Sequence, residues 1–304
     1  MQAATTIVFS TYNRCNLLRQ AIVSAQKQSV PVRILVMDDA SNDGTKQMME
    51  KEFPEIEYHR SSHNLGPCYQ RNRGIELATT EIVFPLDDDS VLQSPYTIEQ
   101  TLAEFDDDDR VGAVAIPYRN ILQSNEVYTK APDKGQIYLI HAFVAASHAI
   151  RRSAFFKAGK YRELFFYYGE EGDLSIRMLK HGFFVRLGTA DPIHHFQSTQ
   201  IMSVRPDMYG RQNDILFVYF NTPALQVPFY LLGATVKGVL FGIREKRLGN
   251  MLKGFMQGYK LALTKSNLRD AVLLKCFQLF RLLKHRKYVP LSEVEHYFRE
   301  RISS

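Results

Sequence analysis

Residues 81–92, EIVFPLDDDSVL, set a short apolar run directly against three consecutive carboxylates, Asp87, Asp88 and Asp89. A run of this length and composition reads as a buried strand, and the acids fall where such a strand leaves its sheet. Open α/β sheets bind their ligands at that place. If the chain stays extended through the turn, residues i and i+2 share a face, so Asp87 and Asp89 converge while Asp88 points elsewhere. Two convergent carboxylates repel each other unless a cation lies between them, and a hard divalent ion shared with phosphates suits the pair. The competing reading at this point is a solvated acidic loop.

The rest of the N-terminal region repeats the same grammar. Thr6–Ser10 reads as a strand, followed by the polar turn TYNR (11–14) and a helical pattern of Leu17, Leu18, Ala21, Ile22 and Ala25. Val32–Met37 reads as a second strand that runs into DDASNDGT (38–45), with Ser41 or Asp43 placed to cap the next helix. A third strand is expected over 56–59, then a turn at Asn64-Leu65-Gly66-Pro67 and a helix bearing Arg71 and Arg73. After the strand at 82–86 come a helix over 96–105 and a strand over 111–116. Strand, loop and helix repeated in this way imply an α/β fold with a mostly parallel sheet covered on both faces. The acidic run Asp106–Asp109 serves as a control: it follows a helix and precedes a strand, which places it opposite the ligand crevice, and it reads as a solvated loop.

Farther on, 136–156 is apolar and rich in small residues and reads as a strand or two. The aromatic-glycine segment FFYYGEEGDL (165–174) opens a helix, 183–187 is a strand, and 191–198 reads as a loop. The stretch 215–243 is strongly apolar, but Pro223, Pro228 and Lys237 interrupt it. Its longest uninterrupted piece falls short of the ~20 apolar residues of a spanning helix, so helices lying on the sheet or dipping into a membrane surface are expected. Two more helical patterns follow, around 251–263 and 268–283. Residues 244–304 hold 14 Lys/Arg against 5 Asp/Glu, leaving 24 against 27 for residues 1–243. Basic amphipathic helices suit an anionic membrane surface, and the alternative is a core-packing extension with a solvated basic face. No nucleic-acid recognition module is visible. Two units are expected, a catalytic domain over 1–214 and a basic helical extension over 215–304. Three scattered cysteines and an N-terminus without a secretory pattern point to the cytoplasm, with the inner face of the plasma membrane as a peripheral site.

Taken in order, TYNR, VMDDASNDGT, NLGPCYQRNRG, PLDDDS, GEEGDLSIR and IHHFQS resemble the pattern of glycosyltransferase family 2 on the GT-A fold, over residues 4 to about 200. The resemblance implies transfer of a sugar, with inversion, from a nucleoside-diphosphate-sugar to an acceptor hydroxyl, using Mn or Mg. On it, Thr11, Asn13 and Arg14 look like the loop over the nucleotide, and Asp39 looks like the acid that accepts from the base N–H. The imide of uracil or thymine needs such an acceptor, which favours UDP- or dTDP-sugars. Asp38 is read as a turn residue. Arg71 matches the arginine at the donor site, able to bond either carboxylate or diphosphate, whereas Arg73 is read as solvated. Asp87 and Asp89 match the two acids of the family's Asp-x-Asp motif, with Asp88 at the middle position beside the donor, where many members have a smaller residue. Glu171 aligns with the proposed general base, standing where many members have Asp. Glu170 and Asp173 are covered by the preference for acids at a helix N-terminus. One of His194 and His195 is expected at the metal.

The setting this implies is cell-surface glycan or glycolipid synthesis, with a glycan or lipid-linked acceptor. A non-catalytic GT-A-like module that binds a nucleotide sugar or glycan is the competing class. A nucleotidyltransferase would carry a glycine-rich phosphate loop where this chain has FSTYNR.

Overall fold

The computed structural model describes residues 3–197 and 204–299. Strand β1 (Thr5–Thr11) is buried at every position, as expected of a β-branched and aromatic run covered on both faces. TYNR leads from it into α1 (Cys15–Gln26), which turns Leu18, Ala21, Ile22 and Ala25 to the core. The unit then repeats as β2 (Val32–Asp38), α2 (Thr45–Glu52), β3 (Glu57–Arg60) and α3 (Pro67–Leu77). Pro67 starts α3 where no helical N–H is required. Next come β4 (Ile82–Asp87), β5 (Ser90–Leu92), α4 (Thr97–Asp106), β6 (Val111–Ala115) and β7 (Tyr118–Asn120). The small-residue stretch folds as β8 (Tyr138–Ile140), β9 (His148–Arg151) and α5 (Arg152–Lys157). It is followed by α6 (Glu170–Lys180), β10 (Phe184–Leu187) and β11 (Ile193–His195). The C-terminal region comprises α7 (Val204–Asn221), α8 (Val227–Arg244), α9 (Leu248–Thr264), α10 (Leu274–Arg286), β12 (Val289–Pro290) and α11 (Leu291–Arg299).

The main sheet has the order β12-β8-β10-β6-β9-β4-β1-β2-β3. Only β8 and β9 oppose the other strands, so the sheet is mostly parallel. Proline is disfavoured inside a sheet because it lacks a ladder donor. Pro85 sits in central β4 all the same, because β9 pairs with β4 only at Ile82 and Val83 and has diverged before Pro85 is reached.

The stretch 191–198, expected to be a loop, instead contributes β11. It pairs antiparallel with β5 and parallel with β7 in a separate three-stranded sheet, order β5-β11-β7; Ser198 lies outside the described residues. The control run is exposed at Asp106, Asp107 and Asp109, as expected of a solvated loop, though two of its acids have ionic partners. Asp107 pairs with Arg186 at 2.5 Å and Asp108 with Arg110 at 2.6 Å, still on the side of the sheet away from Asp87–Asp89.

The boundary expected at 214–215 falls inside α7. Helix α10 packs Cys276, Phe277, Phe280 and Leu283 into the same core as Ile176, Leu179 and Phe184, and β12 extends the sheet beside β8. Helices α7 and α9 meet backbone to backbone: a Cβ on Gly258 would stand 2.9 Å from the Gln212 carbonyl. The expectation of a broken apolar stretch also needs correction. Pro228 lies in the first turn of α8, where it interrupts nothing, and Ala224–Arg244 forms one helical segment of 21 residues, long and apolar enough to cross a membrane by length and composition.

Candidate active site

The site is assembled at the carboxyl ends of β1, β2 and β4. The first two loops there zip together: Asn13 Oδ1 accepts from the Asn42 N–H at 2.8 Å, and the Asn13 N–H donates to Ser41 Oγ at 2.9 Å. Asn13 takes a positive φ of 55°, which its short polar side chain tolerates. Asp38 behaves as a turn residue, accepting from the Ser41 N–H at 2.8 Å and from the Tyr58 hydroxyl. Asp39 is also engaged by its own chain. It accepts from the N–H groups of Leu65 (2.7 Å) and Gly66 (2.9 Å) and from Gln70 Nε2 (2.7 Å), which fixes the turn into α3. Two of these donors fall on Oδ1 and one on Oδ2, so Oδ2 keeps one accepting direction.

Asp87 ends β4 and the chain turns at Asp88 and Asp89 instead of staying extended, yet the three acids still point to different partners. Asp88 turns inward, accepting from the Thr11 hydroxyl at 2.7 Å and from Arg14 at 3.1 Å. Burial pushes its carboxyl up to about 7, against the pull of Arg14 and Thr11. Thr11, Arg14 and Asp88 thus form one internal cluster. Asp87 and Asp89 face the other way and meet His195: one ligand atom from each of the three lies within 4.8 Å of the others. The small sheet accounts for this. It pairs His195 with Ser90, the residue after Asp89, and the Phe196 N–H donates to the Asp89 carbonyl at 2.9 Å. His194, its neighbour on the strand, points to the opposite face and lies outside the cluster.

The cluster has the chemistry of a cation site. Asp89 Oδ1 is buried, accepts no hydrogen bond, and lies 3.2 Å from His195 Nε2. His195 Nδ1 lies 2.9 Å from Asn120 Oδ1; donating there, the ring turns the Nε2 lone pair toward Asp89. Two acceptors facing each other over a buried gap are what a divalent ion would satisfy, and two carboxylates with one imidazole fit a Mn-like ion. Arg14 supplies positive charge from the open side, 2.6 Å from Asp89 Oδ2. Burial works to raise the Asp89 carboxyl, but His195, when its ring is protonated at Nε2, and Arg14 outweigh it and hold the group below the usual carboxylate range.

Arg71, 4 % exposed, joins this cluster to the next element. One guanidinium nitrogen donates to Asp87 at 2.6 Å and another to Glu170 at 3.1 Å, at the start of α6. Both partners are carboxylates, which settles which of its two expected bonding modes the free protein uses. Replacing Arg71 with alanine would leave Glu170 buried without its partner, and we expect a loss of about 3–5 kcal/mol in denaturant unfolding. Lysine should not restore it, because a point charge cannot bridge both acids.

The start of α6 is shaped by two consecutive left-handed residues, Tyr168 (φ 68°) and Gly169 (φ 85°). Asn213 of α7 pins them, donating to the carbonyls of Tyr167 (2.8 Å) and Tyr168 (2.6 Å). Asp173 does more than favour the helix dipole. It is fully buried and accepts from Arg162 (2.5 Å), Arg177 (2.7 Å) and Asn221 (2.8 Å), which together hold its carboxyl low against the effect of burial. Asn213 and Asn221 escaped the sequence reading, although polar residues recurring along the apolar α7 stretch were a usable signal. Beneath the site, His148 is fully buried, stacks on Phe143 and meets the Tyr161 hydroxyl at 3.1 Å; burial pushes it down to about 3, so it is a neutral core histidine.

Among the described residues, Glu171 is the one acid of this element without an ionic partner. It lines a cavity of about 510 Å³ together with His141, Phe143, Tyr168, Asn213, Phe280 and Lys284, and accepts a long 3.4 Å hydrogen bond from the Ala145 N–H. Its surroundings push its carboxyl up to about 8, first through burial and then through the neighbouring Glu170, with Arg71 and Ala145 opposing. A carboxylate tuned to that value can take a proton near neutral pH.

A family model described as "Glycosyl transferase family 2" matches residues 6–165. A stretch of 94 residues, 29% of the chain, is 37% identical to the GalNAc(5)-diNAcBac-PP-undecaprenol beta-1,3-glucosyltransferase of Campylobacter jejuni. That stretch takes in 30% of the relative's length. Among solved structures, the Pyrobaculum calidifontis mannosyltransferase PcManGT in complex with GDP-Man and Mn2+ aligns with a TM-score of 0.57 at 17% identity, over 88% of this chain and 84% of that one. Residues 1–349 of S. aureus TarS align with a TM-score of 0.60 at 15% identity, over 84% and 80%. These likenesses extend to the fold, which is GT-A with a C-terminal helical region.

Proposed function

The chain belongs to glycosyl transferase family 2, and on that premise we propose that it moves a sugar from a nucleoside-diphosphate-sugar to a hydroxyl of a glycan or lipid-linked acceptor, with inversion. The observation that carries this is the Asp87–Asp89–His195 cluster at the end of β4, tied through Arg71 to Glu170, whose neighbour in sequence, Glu171, lines a cavity. In this reading Asp87, Asp89 and His195 hold a Mn2+ or Mg2+ ion, and His194 does not. When bound, that ion supplies Lewis-acid stabilisation of the negative charge that grows on the leaving diphosphate. The loops around Asn13 and Asp39 take the nucleoside, the remaining accepting direction of Asp39 Oδ2 suiting an imide N–H. Thr11 and Asp88 hold Arg14 at the edge of the diphosphate site, so Asp88 acts through Arg14 rather than on the donor.

Glu171 orients the acceptor hydroxyl in the cavity and removes its proton as the oxygen bonds to the anomeric carbon. The bond from that carbon to the diphosphate breaks on the opposite face, the proton ends on Glu171, and the nucleoside diphosphate leaves with the electron pair. Aromatic Tyr168, which is exposed, gives the acceptor sugar a face to pack on, with Lys284 at the rim.

The Campylobacter relative's name specifies a lipid-linked acceptor, which makes a polyprenyl-diphosphate glycan the first acceptor to try. Thermal shift with UDP-, dTDP- and GDP-sugars is the direct test of the donor half. We expect one nucleotide to raise the melting temperature in Mn2+ or Mg2+ and to lose that effect in chelator. Stabilisation by no nucleotide under any metal condition would sink the reading.

A further inference from the structure

Helices α8 and α9 form a hairpin laid against α7, and its outer side is apolar. Helix α8 buries only Gly238 and Gly242, against α9. The opposite side carries Phe229, Leu232, Leu240 and Ile243, which with Val236 recur at steps of three and four and make one continuous stripe. Phe229 is 76 % exposed and Leu232 65 %. On the neighbouring helix Met256 and Leu263, 73 % and 72 % exposed, extend a second stripe with Leu252. Single exposed apolar residues need no explanation, but two stripes on packed neighbouring helices mark a surface that meets something.

Charge identifies the partner. Residues 224–265 hold seven Lys/Arg (Lys237, Arg244, Lys246, Arg247, Lys253, Lys260, Lys265) against one acid, Glu245. Lys237 and Arg244 fall about a quarter-turn from the α8 stripe, and Lys253 and Lys260 fall likewise beside the α9 stripe. Lys237, Lys253 and Lys260 are exposed and have no acidic partner among the described residues.

We propose that the α8–α9 hairpin is a docking face for an anionic lipid bilayer, lying in the membrane plane with its apolar stripes below the headgroups and its lysines among the phosphates. A second copy of the chain fits poorly, because a two-fold contact would set this basic rim against itself. A spanning arrangement of α8 fits poorly as well. Its buried side rests on Arg211, whose Cδ lies 2.9 Å from where a Gly238 Cβ would be, and spanning would separate that packing or carry the charge into hydrocarbon.

Docking in this manner places the Glu171 cavity close to the lipid surface, since α7 supports the hairpin on one side and lines the cavity with Gly210 and Asn213 on the other. The inference thus deepens the preceding reading by naming the surface that would present a lipid-linked acceptor, yet neither its evidence nor its test involves sugar transfer.

The test is flotation of the purified full chain with phosphatidylcholine vesicles, with and without phosphatidylglycerol, at low and high salt. We expect about tenfold stronger partition to the anionic vesicles at low salt, weakened by high salt. The pairs Leu232→Glu with Leu240→Glu, and separately Lys253→Glu with Lys260→Glu, should each lower it about tenfold, with unchanged circular dichroism and melting temperature showing that the fold is retained. No flotation at any salt, or flotation unaffected by both pairs, would overturn the proposal. So would retention in membranes after an alkaline carbonate wash, or a dimer that dissociates in the leucine pair without any vesicle binding. A chain that floats as expected while no nucleotide sugar stabilises it would leave docking standing and remove sugar transfer.

Discussion

Asp89→Ala should lower sugar transfer by about a thousandfold while the protein still folds. The activity loss follows from geometry: Asp89 is the acid that meets both His195 and Arg14, and its buried Oδ1 has no donor of its own. The fold should survive because the partners it leaves are not stranded. Arg14 is 41 % exposed at its side chain and keeps Asp88, and His195 keeps Asn120. Initial rates with saturating Mn2+ and donor, alongside a melting curve, separate the two effects. A variant that melts like wild type and turns over at the wild-type rate would show that these carboxylates are a structural acid cluster.

Glu171→Gln should cost a factor of about 10²–10⁴ in kcat, because the amide cannot take the acceptor proton. It should also make the protein more stable above pH 5. The sign follows from the direction of the shift. The folded carboxyl titrates near 8 and the unfolded one near its ordinary 4.5. Between those values folding takes up a proton, so the stability of the protonated form is fully present below the unfolded value and is lost as pH rises through the folded one. Glutamine copies the neutral form at every pH. The melting temperatures of the two proteins should therefore coincide in acid, diverge between pH 5 and 8, and run parallel above. In the wild type, kcat/KM should rise with pH through a limb near 8 that is absent from the residual activity of the variant. A wild-type profile flat from pH 6 to 9 would place the base elsewhere.

Strands β1, β2, β4 and β6 were legible in the sequence because each is a short apolar run bounded by turn residues, and the three acids were legible because they end such a run. Which of the two histidines joins them was not legible. Strands β5, β7 and β11 have three residues each, too few for periodicity to register, and their pairing is set by contacts far apart in the chain. That pairing turns His195 toward Asp89 and His194 away. Arg71 was legible as a site residue, but its bond to Glu170 spans 99 positions of sequence and, with the one to Asp87, appears only once the sheet has formed. The continuity of α8 was missed for a local reason: Pro228 looks like a breaker until the helix is seen to begin at Val227. Composition alone could not separate Asp106–Asp109 from Asp87–Asp89; position in the sheet did, since the first run is placed beside Arg110 and Arg186 and the second beside a histidine at the carboxyl end of β4.

The central claim, that Asp87, Asp89 and His195 hold the metal on which a nucleoside diphosphate rests, is tested most directly by Mn2+ titration followed by electron paramagnetic resonance. Wild type and Asp89→Ala would be titrated with and without the nucleotide that stabilises the wild type. The account predicts one Mn2+ site in the wild type that tightens with nucleotide and is lost in the variant; an identical Mn2+ isotherm in both proteins would contradict it.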